Sequence, residues 1–330
     1  MRLCSCFCHW LLFFFLVNIN TALAQNPPSL NSDNLISLTV TVSTPKGRLV
    51  GGLTKEDLLI STERSNRPIR SLGAMDEPIA VGILVDTSGS MNTPGAREIA
   101  GREKIIESLS TFIELGNPKN RYFLMSFGSQ LNLLSDWSND LRPSLAGIPT
   151  AHDKSKTAFF DALWGAIDKV KSGSHRKRVV LVISDGLDNG SRHKLDDVRN
   201  LLKANDVLVY SLGITGPATD PTSLGFPGLA NIINVRITSG GSRALIDFAE
   251  ITGGLALFVH DDKQMNWLAN RVATELRNQY RVEFESGPAK PGSWERVKAK
   301  IKPRENATAE FRKLQLRTRQ GYYSGTDRKK

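Results

Sequence analysis

Three short polar segments of this sequence carry oxygen atoms in a pattern that suits a metal ion. Asp86-Thr87-Ser88-Gly89-Ser90 comes first, Thr157 lies further along the chain, and Asp185-Gly186 comes last. The first and third directly follow apolar runs, residues 79–85 and 178–184, which predict buried strands. Ligands of open α/β sheets bind beyond the carboxyl ends of parallel strands, so these side chains should converge there. The all-oxygen set suits Mg²⁺, with Ca²⁺ or Mn²⁺ as alternatives.

A plainer interpretation exists for the first segment. Asp86 and Ser88 are of types that often cap helices, and taken alone they need no metal. Thr157 opens a predicted helix over residues 157–163. Because all three segments are present together, and two of them directly follow predicted buried strands, the metal site is the better interpretation.

The three segments resemble the metal-ion-dependent adhesion site of von Willebrand factor A domains, which has Asp-x-Ser-x-Ser, a distal threonine and a later Asp-Gly. The resemblance implies that Ser88, Ser90 and Thr157 bind the ion directly, while Asp86 and Asp185 act through bridging waters. It also implies that a carboxylate of a protein partner completes the coordination.

The resemblance extends beyond these segments. Residues 52–58, 275–280 and 319–322 are similar to motifs of the VWFA-related bacterial family described first in Acidobacteria, and together they cover nearly the whole chain after the leader. One departure is Ser155-Lys156, where the family often has two glycines before the threonine. A lysine beside the site is expected to lower its affinity for a cation.

The amino terminus has the features of a secretory signal peptide over residues 1–24. Arg2 supplies the positive charge, residues 10–17 the apolar core, and Ala22-Leu23-Ala24 the cleavage site, so the mature chain should begin at Gln25. The apolar run is too short to span a bilayer. We expect a periplasmic or secreted protein; an uncleaved amino-terminal anchor is the alternative.

Cysteine and charge content exclude several functions. Cys4, Cys6 and Cys8 all lie in the predicted signal peptide, so the mature chain would have no disulfide, thiolate metal site or thiol nucleophile. The net charge is +10, with a basic cluster at residues 175–178 and a basic tail at 328–330. Few aromatic residues accompany these charges, which argues against nucleic-acid binding. We interpret them as a solvated face, with weak attraction to anionic envelope polymers left open.

The remaining patterns predict an α/β fold with flanking β modules. Strands and helices alternate over residues 77–279, which predicts a doubly wound, mostly parallel sheet like that of a von Willebrand factor A domain. Strand patterns also precede and follow it, so the two flanks could form one sheet or sandwich. The predicted divisions are a linker at 25–34, an amino-terminal β module at 35–76, the α/β domain at 77–279, and a carboxyl-terminal β segment with the basic tail at 280–330.

A long Gly- and Pro-rich segment, residues 213–241, interrupts the α/β pattern after a predicted strand. Loops of this length are uncommon and often functional. The equal alternative is a plain solvated insertion or a short added hairpin, in which residues 232–237 would form a strand.

The leading functional prediction is an exported, non-enzymatic module that binds a protein partner through the ion. One alternative is a structural envelope component whose metal only stabilises its own fold. A metal-dependent hydrolase is the weaker alternative: Asp86-Thr87-Ser88 resembles a phosphatase Asp-x-Asp start, but Ser88 replaces the proton-transferring carboxylate. His152 is the one histidine close to Thr157 in the sequence. The partner's identity and the oligomeric state are not specified by these patterns.

Overall fold

The computed structural model describes residues 35–73, 76–151, 156–214, 240–259, 263–302, 304 and 307–325. All of them belong to one compact unit of the chain. The predicted signal peptide and linker, His152, and residues 215–239 of the long segment lie outside the described residues. Within the described ranges, every helix is too short or too polar to cross a membrane.

The regular elements alternate along the chain much as the sequence patterns predict. The strands are β1 Leu35–Ser43, β2 Leu58–Thr62, β3 Asn66–Arg67, β4 Ile69–Gly73, β5 Ile79–Asp86, β6 Arg121–Phe127, β7 Leu131–Ser138, β8 Lys177–Ser184, β9 Leu208–Ile214, β10 Ala256–Val259, β11 Gln279–Glu285, β12 Trp294–Ile301, β13 Gln315–Arg317 and β14 Gly321–Tyr323. The helices are α1 Pro94–Ala100, α2 Arg102–Leu115, α3 Phe159–Lys171, α4 Leu195–Ala204, α5 Gly240–Thr252, α6 Gln264–Arg277 and α7 Ala309–Arg312.

The central sheet has six strands in the order β10-β9-β8-β5-β6-β7. All neighbours pair in parallel except β6 and β7, which are antiparallel. The predicted doubly wound, mostly parallel α/β sheet is therefore confirmed. Its parallel strands place the ends of β5, β6 and β8 at one edge, where the polar segments begin.

Two hydrophobic cores cover the two faces of this sheet, and β5 contributes to both. Val81, Ile83 and Val85 pack in the core that contains α2 and α6. Ala80 and Leu84 pack in the core that contains α3, α4 and α5. Because a strand directs successive side chains to opposite faces, a strand buried on both sides must be apolar throughout. This explains the uninterrupted apolar run before Asp86.

Two small antiparallel sheets, ordered β13-β1-β11-β4 and β14-β12-β2-β3, accompany the central sheet. Each combines strands from before and after the α/β segment: β1 pairs with β11, and β2 pairs with β12. The two sheets share one hydrophobic core, which includes Leu38, Ile60, Val282, Phe284 and Tyr322. This pairing agrees with the suggestion that the flanks form one sheet or sandwich. The predicted domain boundaries themselves stay predictions.

A buried polar cluster joins the central sheet to the small sheets. The hydroxyl of Tyr210 in β9 donates to Glu275 Oε1 of α6 (2.5 Å). Gln279 Nε2 donates both to Tyr210 Oη (2.9 Å) and to Thr41 Oγ1 of β1 (2.8 Å). Arg317 of β13 forms an ion pair with Glu275, whose side chain is fully buried. Five elements, β1, β9, β11, β13 and α6, therefore share one hydrogen-bonded cluster, which fixes α6 and β9 against the small sheet that contains β1, β11 and β13.

Candidate metal centre

The chain turns directly after Asp86, the last residue of β5. The backbone N–H of Thr87 donates to the carbonyl oxygen of Phe127 (2.7 Å), and the Thr87 hydroxyl donates to the same oxygen (3.0 Å). These two bonds attach the turn to the end of β6. A short 3₁₀ helix follows at Gly89–Asn92. The Asp-x-Ser-x-Ser segment therefore lies at the carboxyl edge of the sheet.

Asp86 is buried, with 2% of its surface exposed, and both of its carboxylate oxygens accept hydrogen bonds. Oδ1 accepts from the backbone N–H of Ser88 (2.9 Å), and Oδ2 accepts from the hydroxyl of Ser184 (2.6 Å). Burial raises the pKa of Asp86 to about 6; the bonds from Ser184 and Ser88 oppose this rise, and the nearby charge of Asp185 adds to it. A buried carboxylate of this kind is stabilised by a nearby positive charge.

Ser88 and Ser90 bring two hydroxyl oxygens together. Their Oγ atoms are 3.1 Å apart, at hydrogen-bonding distance. Ser88 is fully buried and Ser90 is half-buried. A hydrogen bond between two hydroxyls uses one proton and leaves lone pairs on both oxygens. The pair therefore retains acceptor capacity beside Asp86.

Thr157 is held by backbone hydrogen bonds between β6 and the loop after β8. Its N–H donates to Asn189 Oδ1 (2.8 Å), and its carbonyl accepts from the N–H groups of Asn189 and Gly190 (both 2.9 Å). The next N–H, of Ala158, donates to the carbonyl of Gly128 (2.7 Å). Thr157 is 3% exposed, and its hydroxyl has no hydrogen-bond partner among the described residues. That leaves one buried hydroxyl available to a ligand.

The expectation that Thr157 opens the helix is wrong by two residues. α3 begins at Phe159, with Ala158 in the cap position and no side-chain capping bond. The bonds from Thr157 to the loop after β8 hold it in the connection before the helix. Its side chain is therefore not needed to cap α3.

Asp185 follows β8 in a tight turn. Its Oδ1 accepts from the N–H of Leu187 (2.9 Å), and the N–H of Gly186 donates to Ser184 Oγ (2.9 Å). Gly186 has a φ of +75°, and a Cβ there would lie 2.4 Å from the carbonyl oxygen of Gly241. Glycine is thus required twice, by the backbone conformation and by the close approach of α5.

The structure brings the five predicted residues to one edge of the sheet, but only some of them are in direct contact. Asp86, Ser88 and Ser90 form one connected group. Asp185 is adjacent to Ser184, which bonds directly to Asp86. Thr157 lies at the same edge, between the ends of β6 and β8.

The donor set fits a hard divalent cation, because it combines buried carboxylate and hydroxyl oxygens in one region. No group of three or more His, Cys, Asp or Glu that could hold a metal occurs in the described ranges. This result concerns only those four residue types, whereas three of the five candidate ligands are hydroxyls. The five candidate ligands thus offer only oxygen atoms, whereas structural zinc sites are built mainly from sulfur and nitrogen ligands.

Sequence reasoning missed two positioning residues. Ser184 orients Asp86 and also accepts from Gly186, and Asn189 holds Thr157. The first had a usable signal, since a serine at the end of an otherwise apolar strand lies level with Asp86 on the neighbouring strand. Asn189 had none, because its contact is 32 residues away in the chain.

The two histidines among the described residues, His193 and His175, both have polar partners, and His175 lies at the opposite edge of the sheet, before β8. His193 Nδ1 lies 2.5 Å from Asp161 Oδ1, and its ring stacks on Trp164 with centroids 4.1 Å apart. Although burial opposes it, hydrogen bonds from His193 and Arg192 lower the pKa of Asp161 to about 2. His193 is thus engaged with α3. His175 contacts the carbonyl of Lys119 at 2.9 Å.

A doubly wound sheet with polar residues at its carboxyl edge is the arrangement in which open α/β domains commonly bind ligands. Residues 81–187 match the model of the family described as von Willebrand factor type A domain. The chain therefore contains a von Willebrand factor type A domain, and such domains are generally non-catalytic, protein-binding modules. No curated protein matches the chain.

Several solved structures are similar to this chain at low identity. BatB from Bacteroides thetaiotaomicron is 16% identical, with 60% of this chain and 98% of that chain covered and a TM-score of 0.44. An aerotolerance-related membrane protein from Bacteroides fragilis is 18% identical, with 60% and 98% covered and a TM-score of 0.46. Proximal thread matrix protein 1 from the mussel byssus, with a zinc-occupied MIDAS motif, is 14% identical, with 64% and 48% covered and a TM-score of 0.45. These similarities are too low to assign a function or a site to this chain.

Proposed function

We propose that this protein is an exported, non-enzymatic binding module that holds a protein partner through a divalent cation. Asp86, Ser88, Ser90, Thr157 and Asp185 would hold the cation. The observation that carries the proposal is the buried carboxylate of Asp86, which is fixed by two hydrogen bonds beside a pair of serine hydroxyls.

The chain's own residues prepare this site before any ligand arrives. Ser184 and the backbone of Ser88 fix the orientation of Asp86, and the Asn189 loop fixes Thr157. A bound cation would supply positive charge that attracts a carboxylate of the partner. Because the three hydroxyls are neutral, only the carboxylates of Asp86 and Asp185 and that of the partner offset the charge of the cation.

Mg²⁺ is the proposed cation, with Ca²⁺ or Mn²⁺ as alternatives, since oxygen ligands suit all three. Lys156 is exposed next to Thr157, and its Cβ lies 3.1 Å from the position that a Cβ at Gly190 would occupy. We infer that this lysine lowers cation affinity and favours acidic partners.

The finer assignment to the bacterial VWFA-related family, and export through residues 1–24, belong to the same proposal. Both rest on sequence features: the outer motifs for the family and the Ala22-Leu23-Ala24 pattern for cleavage. Mass spectrometry of the protein in its native host tests the second. A mature amino terminus at Gln25 in an extracytoplasmic fraction supports export, whereas intact Met1 on cytoplasmic protein contradicts it.

Cation binding itself is tested with Mn²⁺ as the probe. Titration calorimetry on the mature chain should give one site, and Thr157→Val should weaken it because the substitution removes the hydroxyl and keeps the shape. Thr157→Ser, which retains the hydroxyl, is the matched control and should still bind. Absence of Mn²⁺ binding to the wild type would reject the site.

Partner binding is tested with envelope extract of the producing organism. A captured protein should appear with wild type in magnesium, should disappear with chelator, and should be lost with Thr157→Val but retained with Thr157→Ser. If Mn²⁺ binds but no partner depends on it, the cation only stabilises the fold, which is the structural alternative. Turnover of phosphoester or acyl-ester probes would favour the hydrolase instead.

A further inference from the structure

The solvent-facing side of β12 carries a row of basic residues remote in sequence from the candidate metal centre. Arg296, Lys298 and Lys300 alternate with the buried Glu295 and Val297, and all three are exposed. Exposed Lys302 continues the row, and its N–H donates to the carbonyl of Asp57 (2.7 Å), which extends the strand-like path. Alternate residues of a strand lie about 6.7 Å apart, so the four charges form a line of roughly 20 Å.

This row lacks acidic partners over most of its length. Arg296 approaches Glu63 at 3.8 Å, and both side chains are largely exposed. On the neighbouring strand β2, Lys298 is opposite Ser61 and Lys300 is opposite Leu59. In the part of the chain that the structure describes, no ion pair involves Lys298, Lys300 or Lys302.

The other small sheet shows that this pattern is not general in the molecule. There, Arg70 pairs with Glu285, and Arg281 pairs with Glu77 at 2.7 Å. The hydroxyl of Ser71 also donates to Glu283 at 2.7 Å. Arginines of that sheet therefore have acidic partners, Arg70 on the neighbouring strand and Arg281 on the segment before β5.

Protection of a sheet edge does not explain the row either. Lysines on edge strands discourage pairing with other chains. However, the row runs from the part of β12 that pairs with β14, residues 294–296, into the part that pairs with β2, residues 297–301, and on to Lys302, so it does not follow one unpaired edge. Like charges about 6.7 Å apart lie within the Debye length of about 8 Å at physiological salt, so they repel one another without local compensation. A ligand that carries a line of negative charge would relieve that repulsion.

We infer that the row of Arg296, Lys298, Lys300 and Lys302 binds a linear acidic polysaccharide. A chain with regularly spaced carboxylates matches a single line of positive charge. An anionic membrane would instead match a flat surface with apolar anchors. Single-stranded nucleic acid would require exposed aromatic platforms; the aromatic residue at the end of the row, Trp294, packs edge-to-face on Tyr323 and beneath Lys203.

The three lysine ammonium groups and the one guanidinium group bind mainly through their charge, so binding should depend strongly on salt and weakly on the exact sugar. The surface is distinct from the cation-dependent site. Binding should therefore persist in chelator, and the two proposals can fail separately.

The test uses the mature chain in EDTA and fluorescently labelled polygalacturonate, with affinity measured by polarisation at several sodium chloride concentrations. The triple substitution Lys298→Gln, Lys300→Gln and Lys302→Gln should weaken binding at least about tenfold at low salt. It should also reduce the magnitude of the slope of log K against log salt by about two, because each lost charge contact contributes about 0.7 to that slope. Replacing the same three lysines by arginine should retain binding, since the charges remain.

The matched control changes three exposed lysines on separate loops, Lys46, Lys119 and Lys290, to glutamine. It alters the net charge equally and should leave affinity within about twofold. Equal losses in both triple variants would overturn the proposal, because they would reduce it to a net-charge effect. No binding by the wild type would also overturn it.

Three further arms identify the polymer class. Neutral dextran should not bind, and dextran sulfate should bind through the same lysines if charge rather than carboxylate chemistry is recognised. Tighter binding to oligothymidine or to anionic phospholipid vesicles than to polygalacturonate would contradict the assignment. Unchanged melting temperatures of the glutamine variants check that these exposed substitutions leave the fold intact.

Discussion

Replacing Asp86 by asparagine should stabilise the metal-free protein at neutral pH. The pKa of Asp86 is about 6 in the folded chain against an ordinary value of 3.8. The folded carboxyl thus binds its proton more tightly than the unfolded one. Its contribution to stability is complete below pH 4, declines as the pH rises through about 6, and is absent above that. About two pKa units correspond to roughly 3 kcal/mol at about 1.4 kcal/mol per unit.

Asparagine at position 86 removes the free-energy cost of a buried ionised carboxylate at neutral pH and keeps the local shape. Its carbonyl oxygen can accept from the N–H of Ser88, and its amide can donate to Ser184, the two groups that contact Asp86. In EDTA at pH 7 the melting temperature should rise by about 5 °C for a unit of this size. At pH 4, where the wild-type carboxyl is protonated in the folded state, the two proteins should melt at similar temperatures.

Magnesium should stabilise the wild type more than the Asp86→Asn protein. With ~10 mM Mg²⁺ and a Kd of ~1 mM, a cation that binds only the folded wild type adds about 1.4 kcal/mol, or about 2 °C. The Asp86→Asn protein should lose most of this response. Sodium chloride at equal ionic strength is the salt control. Asp136→Asn is the residue control: Asp136 is exposed and paired with Lys169, so its loss should neither stabilise the protein nor alter the response to magnesium.

Differential scanning calorimetry in magnesium and in EDTA, at pH 4 and pH 7, measures all of these quantities. Destabilisation of the metal-free protein by Asp86→Asn would refute the burial argument. Identical melting of the wild type with and without magnesium would count against the cation site, and manganese-soaked crystals would then exclude a weak site.

Three further substitutions test the geometry of the site and of the fold. Thr157→Val should reduce the magnesium-induced rise in melting temperature while changing metal-free stability by less than about 1 kcal/mol, since the Thr157 hydroxyl makes no bond that stabilises the helix; equal loss in Thr157→Ser would contradict this. Gly186→Ala should cost more than about 2 kcal/mol in urea unfolding, because its φ is +75° and its Cβ would meet the Gly241 carbonyl; a neutral result would disprove the close approach. Lys177→Met should flatten the pH dependence of stability between pH 8 and 10. Burial lowers the pKa of Lys177 to about 8, although nearby acidic charges oppose this shift. Between pH 8 and 10 the unfolded chain therefore binds more protons than the folded chain, and wild-type stability should rise by about 2 kcal/mol.

The α/β core was predictable because each of its signals is local. The apolar runs before Asp86 and Asp185 identify strands buried on both faces, and the polar residues that follow them identify the carboxyl edge. The predicted helix start at Thr157 was wrong by two residues, since Thr157 is held by Asn189 in the connection before α3. No local pattern reports such a contact.

The buried cluster of Tyr210, Glu275 and Arg317 was not predictable for the same reason. Its members are separated by 65 and 42 positions in the chain. Glutamate and arginine also occur most often on the surface, so their types alone favour exposure. Glu275 and Arg317 become a buried ion pair only because α6 packs between the central sheet and the small sheets.

The pairing of β1 with β11 has a consequence for how the chain is made. Thr41 and Gln279 are in contact although 238 positions separate them. A ribosome adds roughly 5–20 residues per second, so β1 waits many seconds for its partner strand. The α/β segment can complete its own sheet during that interval, whereas β1 keeps unpaired backbone groups. Chaperone dependence and aggregation should therefore be concentrated at the amino-terminal strand, and truncation after α6 should leave that strand without its principal neighbour.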